Sequence, residues 1–267
     1  MKDFQGKVAV VTGAASGIGR ALALDFARRG MKLVGADIER GPLEAVRGEI
    51  ETAGAECLTV ITDVSDRQSV QALADAAYGR FGAVHVLCNN AGVTSGGALQ
   101  DSTYQDWQWV LGVNLWGVVH GILAFVPRMI EQQSGGHIVN TGSMAGLIAS
   151  KGLGVYNTSK YAVVGLSETL ARDLREHGIG VSVLCPMGVS TRNRGCRRNR
   201  PEALKQEMAP YEPPELVGNY ISPEETSALV MKAIEHEELY VLTHPESEEF
   251  VARRFERIQK AYELASS

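Results

Sequence analysis

Short β-branched runs alternate with helix-length segments along this 267-residue chain, and that alternation limits its fold more than any other feature. "KVAVVT" (7–12) precedes a helical pattern from Ile18 to Arg29. "MKLVGA" (31–36) precedes a second helix, and "ECLTVIT" (56–62) a third near 66–80. "VHVLC" (84–88), "GHIVNTG" (136–142), "IGVSVLC" (179–185) and "LYVLT" (239–243) continue the series, with long segments at 104–132, 156–177 and 222–236. Nearly continuous apolar strands separated by helices imply a parallel sheet covered on both faces. Right-handed crossovers then give a doubly wound α/β fold of about seven strands. No internal repeat or low-complexity linker marks a second domain, so residues 1–267 are expected to form one.

Charge and cysteine usage exclude several functions. A formal charge of −5 argues against general affinity for nucleic acid or anionic membranes. Cys57, Cys88, Cys185 and Cys196 form no CxxC pair, which reads as reduced intracellular thiols. The N-terminus has no signal-peptide core, and no apolar run reaches the ~18 residues of a membrane span. A soluble, cytoplasmic protein is expected. His85, His137 and His177 flank strands without metal-ligand spacing, so no metal is expected.

"VTGAASGIGRA" directly follows the first strand and opens the first helix. Gly13, Gly17 and Gly19 allow a tight turn and a close backbone approach to a pyrophosphate at the helix N-terminus. Asp37 ends the second strand, where a carboxylate can accept bonds from both hydroxyls of an adenosine ribose and repel the extra phosphate of NADP. Ser16 and Ile38 occupy the neighbouring positions where a phosphate-binding cation would be needed, although Arg40 is near in sequence. NAD is favoured over NADP.

"VYNTSK" places Tyr156 and Lys160 four residues apart on one helix face, a spacing that is mostly surface decoration when it occurs alone. Its context changes that reading. "TGAASGIG" (12–19), "DVSD" (63–66), "NNAG" (89–92), Asn114 in "GVNLWG", Ser143 in "NTGSMAG", the Tyr156–Lys160 pair and "PMGVST" (186–191) occur in order, each on a fitting element. In this the chain resembles the short-chain dehydrogenase/reductase family over about residues 6–190 plus the strand near 240. The resemblance implies a catalytic tetrad of Asn114, Ser143, Tyr156 and Lys160. It also implies cofactor contacts from Gly13, Ser16, Gly17, Ile18, Gly19, Asp37, Asp63, Val64, Asn90, Ala91, Gly92, Tyr156, Lys160, Val189 and Thr191. By the same resemblance Lys160 grips the nicotinamide ribose, and Asn114 kinks its helix around a proton-relaying water.

Elementary electrostatics agrees with the tetrad. A tyrosine of pKa about 10 is a poor base at neutral pH. An ammonium ~4 Å away at an effective dielectric of ~20 is worth about 4 kcal/mol, or roughly three pKa units. Tyr156 is then the expected acid/base, with Ser143 donating a hydrogen bond to the substrate oxygen. The bulk between them (Asn157, Thr158, Ser159) is small, as a helix start beneath a cofactor requires.

The expected activity is interconversion of a secondary alcohol and a ketone; the alternatives are an NADP-dependent ketone reductase and a nucleotide-binding regulator with the same fold. Residues 189–221, with several prolines, read as a substrate lid. Arg192, Arg194, Arg197, Arg198 and Arg200 read either as a solvated loop or as recognition of an acidic substrate group. The mostly apolar "SMAGLIASKGLGV" and Met187, which replaces the family's usual glycine, suggest a hydrophobic or aromatic substrate. A terminal helix is expected within 245–267, and family resemblance implies a homodimer or homotetramer through segments 104–132 and 156–177.

Overall fold

A computed structural model describes residues 1–205 and 218–265. Its strands are β1 (Val8–Thr12), β2 (Lys32–Asp37), β3 (Cys57–Ile61), β4 (Val86–Asn89), β5 (Gly136–Thr141), β6 (Ile179–Cys185) and β7 (Tyr240–Leu242). All neighbours pair in parallel in the order β3-β2-β1-β4-β5-β6-β7. The chain winds outward from β1 to β3, then crosses back to continue from β4. That reversal leaves a crevice beyond the carboxyl ends of β1 and β4, where open α/β sheets bind ligands.

The helices are α1 (Gly17–Arg28), α2 (Arg40–Thr52), α3 (Arg67–Phe81), α4 (Tyr104–Leu111), α5 (Gly117–Glu131), α6 (Gly154–Asp173), α7 (Pro223–His236) and α8 (Glu248–Ala265). Alternate strand residues feed two cores. Ala9 and Val11 pack with Leu22, Phe26, Val230 and Ile234 on one face. Val10, Leu87 and Ile138 pack with Leu73, Phe125 and Met129 on the other. Burial on both faces explains the unbroken apolar strands, each buried Val or Leu contributing about 1.5–3 kcal/mol. Helix starts follow local chemistry: Asp66 caps α3, while Thr103 with Asp106 and Ser222 with Glu225 form capping boxes.

Two expectations are refined. The segment at 104–132 is not one regular helix: α4 and α5 are joined by a π-helical turn, Gly112–Trp116, with Asn114 at its centre. The continuous helical stretch Tyr104–Glu131 is long and apolar enough to cross a membrane, although no uninterrupted apolar run predicted it. More than half of its most apolar window is buried, and α5 packs against α3 and the sheet, so a core position accounts for its composition.

Candidate active site

The three turn glycines do different work. Gly13 (φ +67°) and Gly17 (φ +54°) adopt left-handed backbone, and a Cβ on Gly13 would stand 2.9 Å from the Ala91 Cα. A Cβ on Gly19 would overlap the Gly13 carbonyl oxygen, so α1 can seat on the turn only without one. Ser16 makes no side-chain cap to α1, leaving first-turn N–H groups available to an anion. Thr12 ties this turn to the next strand: its Oγ1 accepts from the Asn90 and Ala91 amides at 2.9 and 3.1 Å. These residues fit the pyrophosphate of a dinucleotide.

Asp37 closes the same end. Its Oδ2 accepts from the Ala15 amide and its Oδ1 from the Glu39 amide, each at 3.0 Å. Burial pushes its carboxyl up from the ordinary value, against the lowering by those backbone bonds. Asp63 Oδ1 accepts from the Ser65 amide and hydroxyl at 2.9 and 2.6 Å. His120 Nδ1–H donates to the Val64 carbonyl at 2.9 Å, holding that loop on α5.

The tetrad residues converge on the seam between β4, β5 and α6. Ser143 follows β5; its Oγ donates to the Pro186 carbonyl at 3.4 Å and accepts from the Ala145 amide at 3.1 Å. The Ser143 hydroxyl lies close enough to the Tyr156 phenol to favour its ionised form. Lys160 Nζ donates to the Thr141 carbonyl at 2.7 Å and lies 5.6 Å from the Tyr156 ring centre. Asn114 is fully enclosed: its Oδ1 accepts from the Val93 amide at 2.8 Å, and its Nδ2 donates to the Val93 carbonyl and Ser159 Oγ at 2.9 and 3.0 Å. The small residues of "VYNTSK" therefore have partners. Ser159 links Asn114 to the Tyr156 carbonyl, and Asn157 donates to the Ser150 carbonyl at 2.8 Å.

Burial, not mutual attraction, dominates both titrating groups. It pushes the Tyr156 phenol above its ordinary value, with the Ser143 hydroxyl opposing, and pulls the Lys160 ammonium down to about 8. The lowering of Tyr156 by Lys160 expected from sequence spacing is not found: the ammonium donates to Thr141, and burial raises the phenol instead.

One cleft of about 1600 Å³ is lined by almost all the expected residues, from Gly13 and Asp37 through Ser143, Tyr156 and Lys160 to Val189 and Thr191. Gly19 and Asn114 lie behind its surface, Gly19 under the turn and Asn114 beside Gly92.

The arginine run takes a place that sequence reasoning did not assign. Arg192, Arg197 and Arg198 line the cleft at the Asp37 end. Arg198 forms a two-bonded pair with Glu39, Nε to Oε1 at 3.0 Å and Nη2 to Oε2 at 2.6 Å, and this guanidinium holds the Glu39 carboxyl below its ordinary value. Further on, the Thr94 amide donates to Cys196 Sγ at 3.3 Å, and buried Arg200 pairs with buried Asp106 at 2.7 Å beneath the Trp109 ring. The segment thus crosses the crevice fastened at three points. Its two ends are joined where Ser190 N donates to the Ile221 carbonyl and Ile221 N to the Gly188 carbonyl, each at 3.0 Å. The Arg194 side chain and residues 206–217 of the expected lid lie outside the described residues.

The opposite end has an apolar wall of Met144, Ile148, Leu153 and Met187, as the sequence suggested. Unforeseen is α8, which lies along this end and lines it with Phe250, Arg253, Arg254, Arg257, Ile258 and Ala261. Their i, i+3, i+4, i+7, i+8, i+11 spacing is a single helical face, a signal that was present in the sequence. Among the described residues no group of three or more His, Cys, Asp and Glu could hold a metal.

A family model described as short chain dehydrogenase matches residues 7–202. The chain belongs to the short-chain dehydrogenase family. It is 35% identical over 265 residues to the C alpha-dehydrogenase of Sphingobium sp. (strain NBRC 103272 / SYK-6), covering 97% of this chain and 87% of that one. It is 36% identical over 271 residues to a CLA biosynthesis dehydrogenase/reductase of Lactiplantibacillus plantarum, covering 97% and 95% respectively. Among solved structures, a short-chain dehydrogenase/reductase from Burkholderia phymatum in complex with NAD superposes with a TM-score of 0.92 at 45% identity, covering 98% of this chain and 97% of that one. This short-chain dehydrogenase thus shares both fold and nearly full length with proteins named dehydrogenases.

Proposed function

We propose that this short-chain dehydrogenase interconverts a secondary alcohol and a ketone with NAD, on a medium-sized hydrophobic or aromatic substrate. The observation that carries the reading is the convergence of Ser143, Tyr156 and Lys160 at the junction of the glycine-lined and apolar halves of one cleft, with the Lys160 ammonium 5.6 Å from the Tyr156 ring centre. NAD supplies the hydride acceptor when bound. Tyr156 exchanges the proton of the alcohol oxygen, and Ser143 holds that oxygen by donating to it. Burial favours the protonated phenol, which suits Tyr156 as proton donor to a ketone; Lys160, 5.6 Å from its ring centre, is assigned to stabilise the phenolate in the reverse direction. Asn114 acts behind the site, bracing α6 against the loop after β4. Gly13, Ser16, Gly17, Ile18, Asp63, Val64, Asn90, Ala91, Gly92, Val189 and Thr191 are assigned to the cofactor, and the segment at 189–221 to a lid.

Asp37 supports NAD, because its carboxylate faces the place of the adenosine ribose. Arg192 and Arg198 at the same end favour a second reading, use of NADP, which would require Arg198 to leave Glu39 for a 2′-phosphate. Assembly as a homodimer or homotetramer is supported by exposed Tyr104, Trp116 and Leu123 along the α4–α5 segment. The test is NADH formation across aryl, alicyclic and acidic secondary alcohols, together with titration of both reduced cofactors. Cofactor binding without turnover of any alcohol would overturn the reaction; NADPH binding as tight as NADH would overturn the cofactor.

A further inference from the structure

Resting on that reading of the cleft, we propose that the substrate carries a carboxylate on an apolar spacer, remote from the carbinol carbon, and that Arg254 and Arg257 of α8 bind it. The cleft is electrically divided. Its acidic lining residues, Asp37, Glu39 and Asp63, all lie beyond β2 and β3. Among the described residues the other end carries no acidic lining residue, and three arginines of α8 face it. The glutamates of α8 (Glu248, Glu249, Glu256 and Glu263) do not line it.

Two of the arginines lining the cleft are paired within the protein, Arg198 with Glu39 and Arg253 with Glu249. Among the described residues neither Arg254 nor Arg257 pairs with a carboxylate. Arg257 donates only through Nε, to the Arg253 carbonyl at 3.3 Å, so that bond does not use its terminal nitrogens. Arg254 is half-buried and packed in place, its guanidinium 5.2 Å from the Tyr161 ring centre and 5.4 Å from that of Phe255. Packing on aromatic rings restrains a guanidinium without consuming its donors, which prepares it for a planar anion.

The spacing sets the length of the ligand. Tyr161 stands five residues beyond Tyr156 on α6, about 7.5 Å along the helix axis. A carboxylate near Arg254 is displaced from Tyr156 by that rise, which favours a substrate whose carboxylate and carbinol are separated by a spacer. Met144, Ile148, Met187, Phe250 and Ile258 line the same cleft and suit a hydrocarbon or aryl spacer. The arginines assigned to the acidic group of the substrate are thus those of α8 at the apolar end, whereas Arg198 is taken up by Glu39 at the other end.

Matched pairs of secondary alcohols test this: one aryl-alkyl skeleton ending in a carboxylate or in its methyl ester, with the corresponding keto acid and keto ester. With NAD, the acid is expected to exceed the ester about 10- to 100-fold in kcat/KM, the range of charge-assisted hydrogen bonds. In the double variant Arg254→Gln with Arg257→Gln the acid-to-ester ratio is expected to fall toward one through KM, and NADH affinity verifies folding. Calorimetric binding of the keto acid and keto ester to the NADH-saturated enzyme separates this inference from the reaction it rests on. Preferential, arginine-dependent binding of the keto acid without turnover would keep the anion site and overturn the assigned reaction. Equal binding of acid and ester to the unmodified enzyme, or a preference that survives in the double variant, would overturn the anion site.

Discussion

The two ends of the cleft are built in opposite ways. At the cofactor end, Gly13, Asp37, Asp63 and Asn90 each lie within two residues of a strand terminus, and backbone amides orient Asp37 directly. At the substrate end, the wall comes from the loop after β5, Met187 after β6, and α8, elements far apart in sequence. The first end is a local product of strand, turn and helix. The second exists only once distant elements pack. The Arg198–Glu39 pair, spanning 159 positions, ties the segment after β6 to the first end. Under the proposed assignment, cofactor chemistry and substrate choice can vary independently, with Tyr156 at the boundary.

The largest expected effect tests that boundary. Tyr156→Phe should lower kcat by about 10³-fold, the scale of general acid–base catalysis, while NADH titration gives nearly unchanged affinity. Comparable loss of both would show that the two ends are not separable. Next in size is a change confined to the cofactor end. Asp37→Ala with Ile38→Arg should move preference toward NADP by about 10- to 100-fold, measured as the ratio of kcat/KM for the two cofactors, with the substrate ranking unaltered.

A third prediction concerns the cost of the buried cation between the ends. Burial lowers Lys160 from 10.5 to about 8, so between those values the unfolded chain binds more protons and this group's contribution to stability rises with pH. Buried Cys185 and half-buried Cys57 and Tyr156, all raised, act in the opposite direction at alkaline pH in either chain. The informative quantity is therefore the difference between chains. Relative to Lys160→Met, the unmodified protein should gain stability from about pH 8 upward in urea titrations, by on the order of 1.4 kcal/mol per pH unit at most. A difference that does not change with pH would show that Lys160 keeps an ordinary pKa. The smallest effect is expected from Glu39→Gln. Releasing Arg198 should improve NADPH binding by a few-fold and leave NADH almost unaffected, since Asp37 remains.

Particular residues show why one end was readable and the other was not. The seven strands and the glycine turn were legible because each is a local pattern: β-branched runs buried on both faces, and φ values above zero at Gly13 and Gly17. Asp37, Ser143, Tyr156 and Lys160 were legible because short motifs tie them to strand and helix ends. Arg198 and Arg200 were not. The two are neighbours but one, yet one closes on Glu39 at the surface and the other on Asp106 in the interior. Nothing local distinguishes them. The role of α8 was half legible: its apolar and basic face could be read from spacing, whereas the cleft it covers could not.

The amino-acid sequence by itself determined the order of elements, the parallel sheet, and the residues brought to the carboxyl edge, since these follow from periodicity, backbone freedom and chain connectivity. Only the tertiary structure decided which charges pair, which remain open to a ligand, and which way Tyr156 and Lys160 shift. The physical reason is that ionisation depends on distance and lost water, and both are properties of packing. Four residues of separation brought the Tyr156 and Lys160 side chains together, but burial around them set their chemistry.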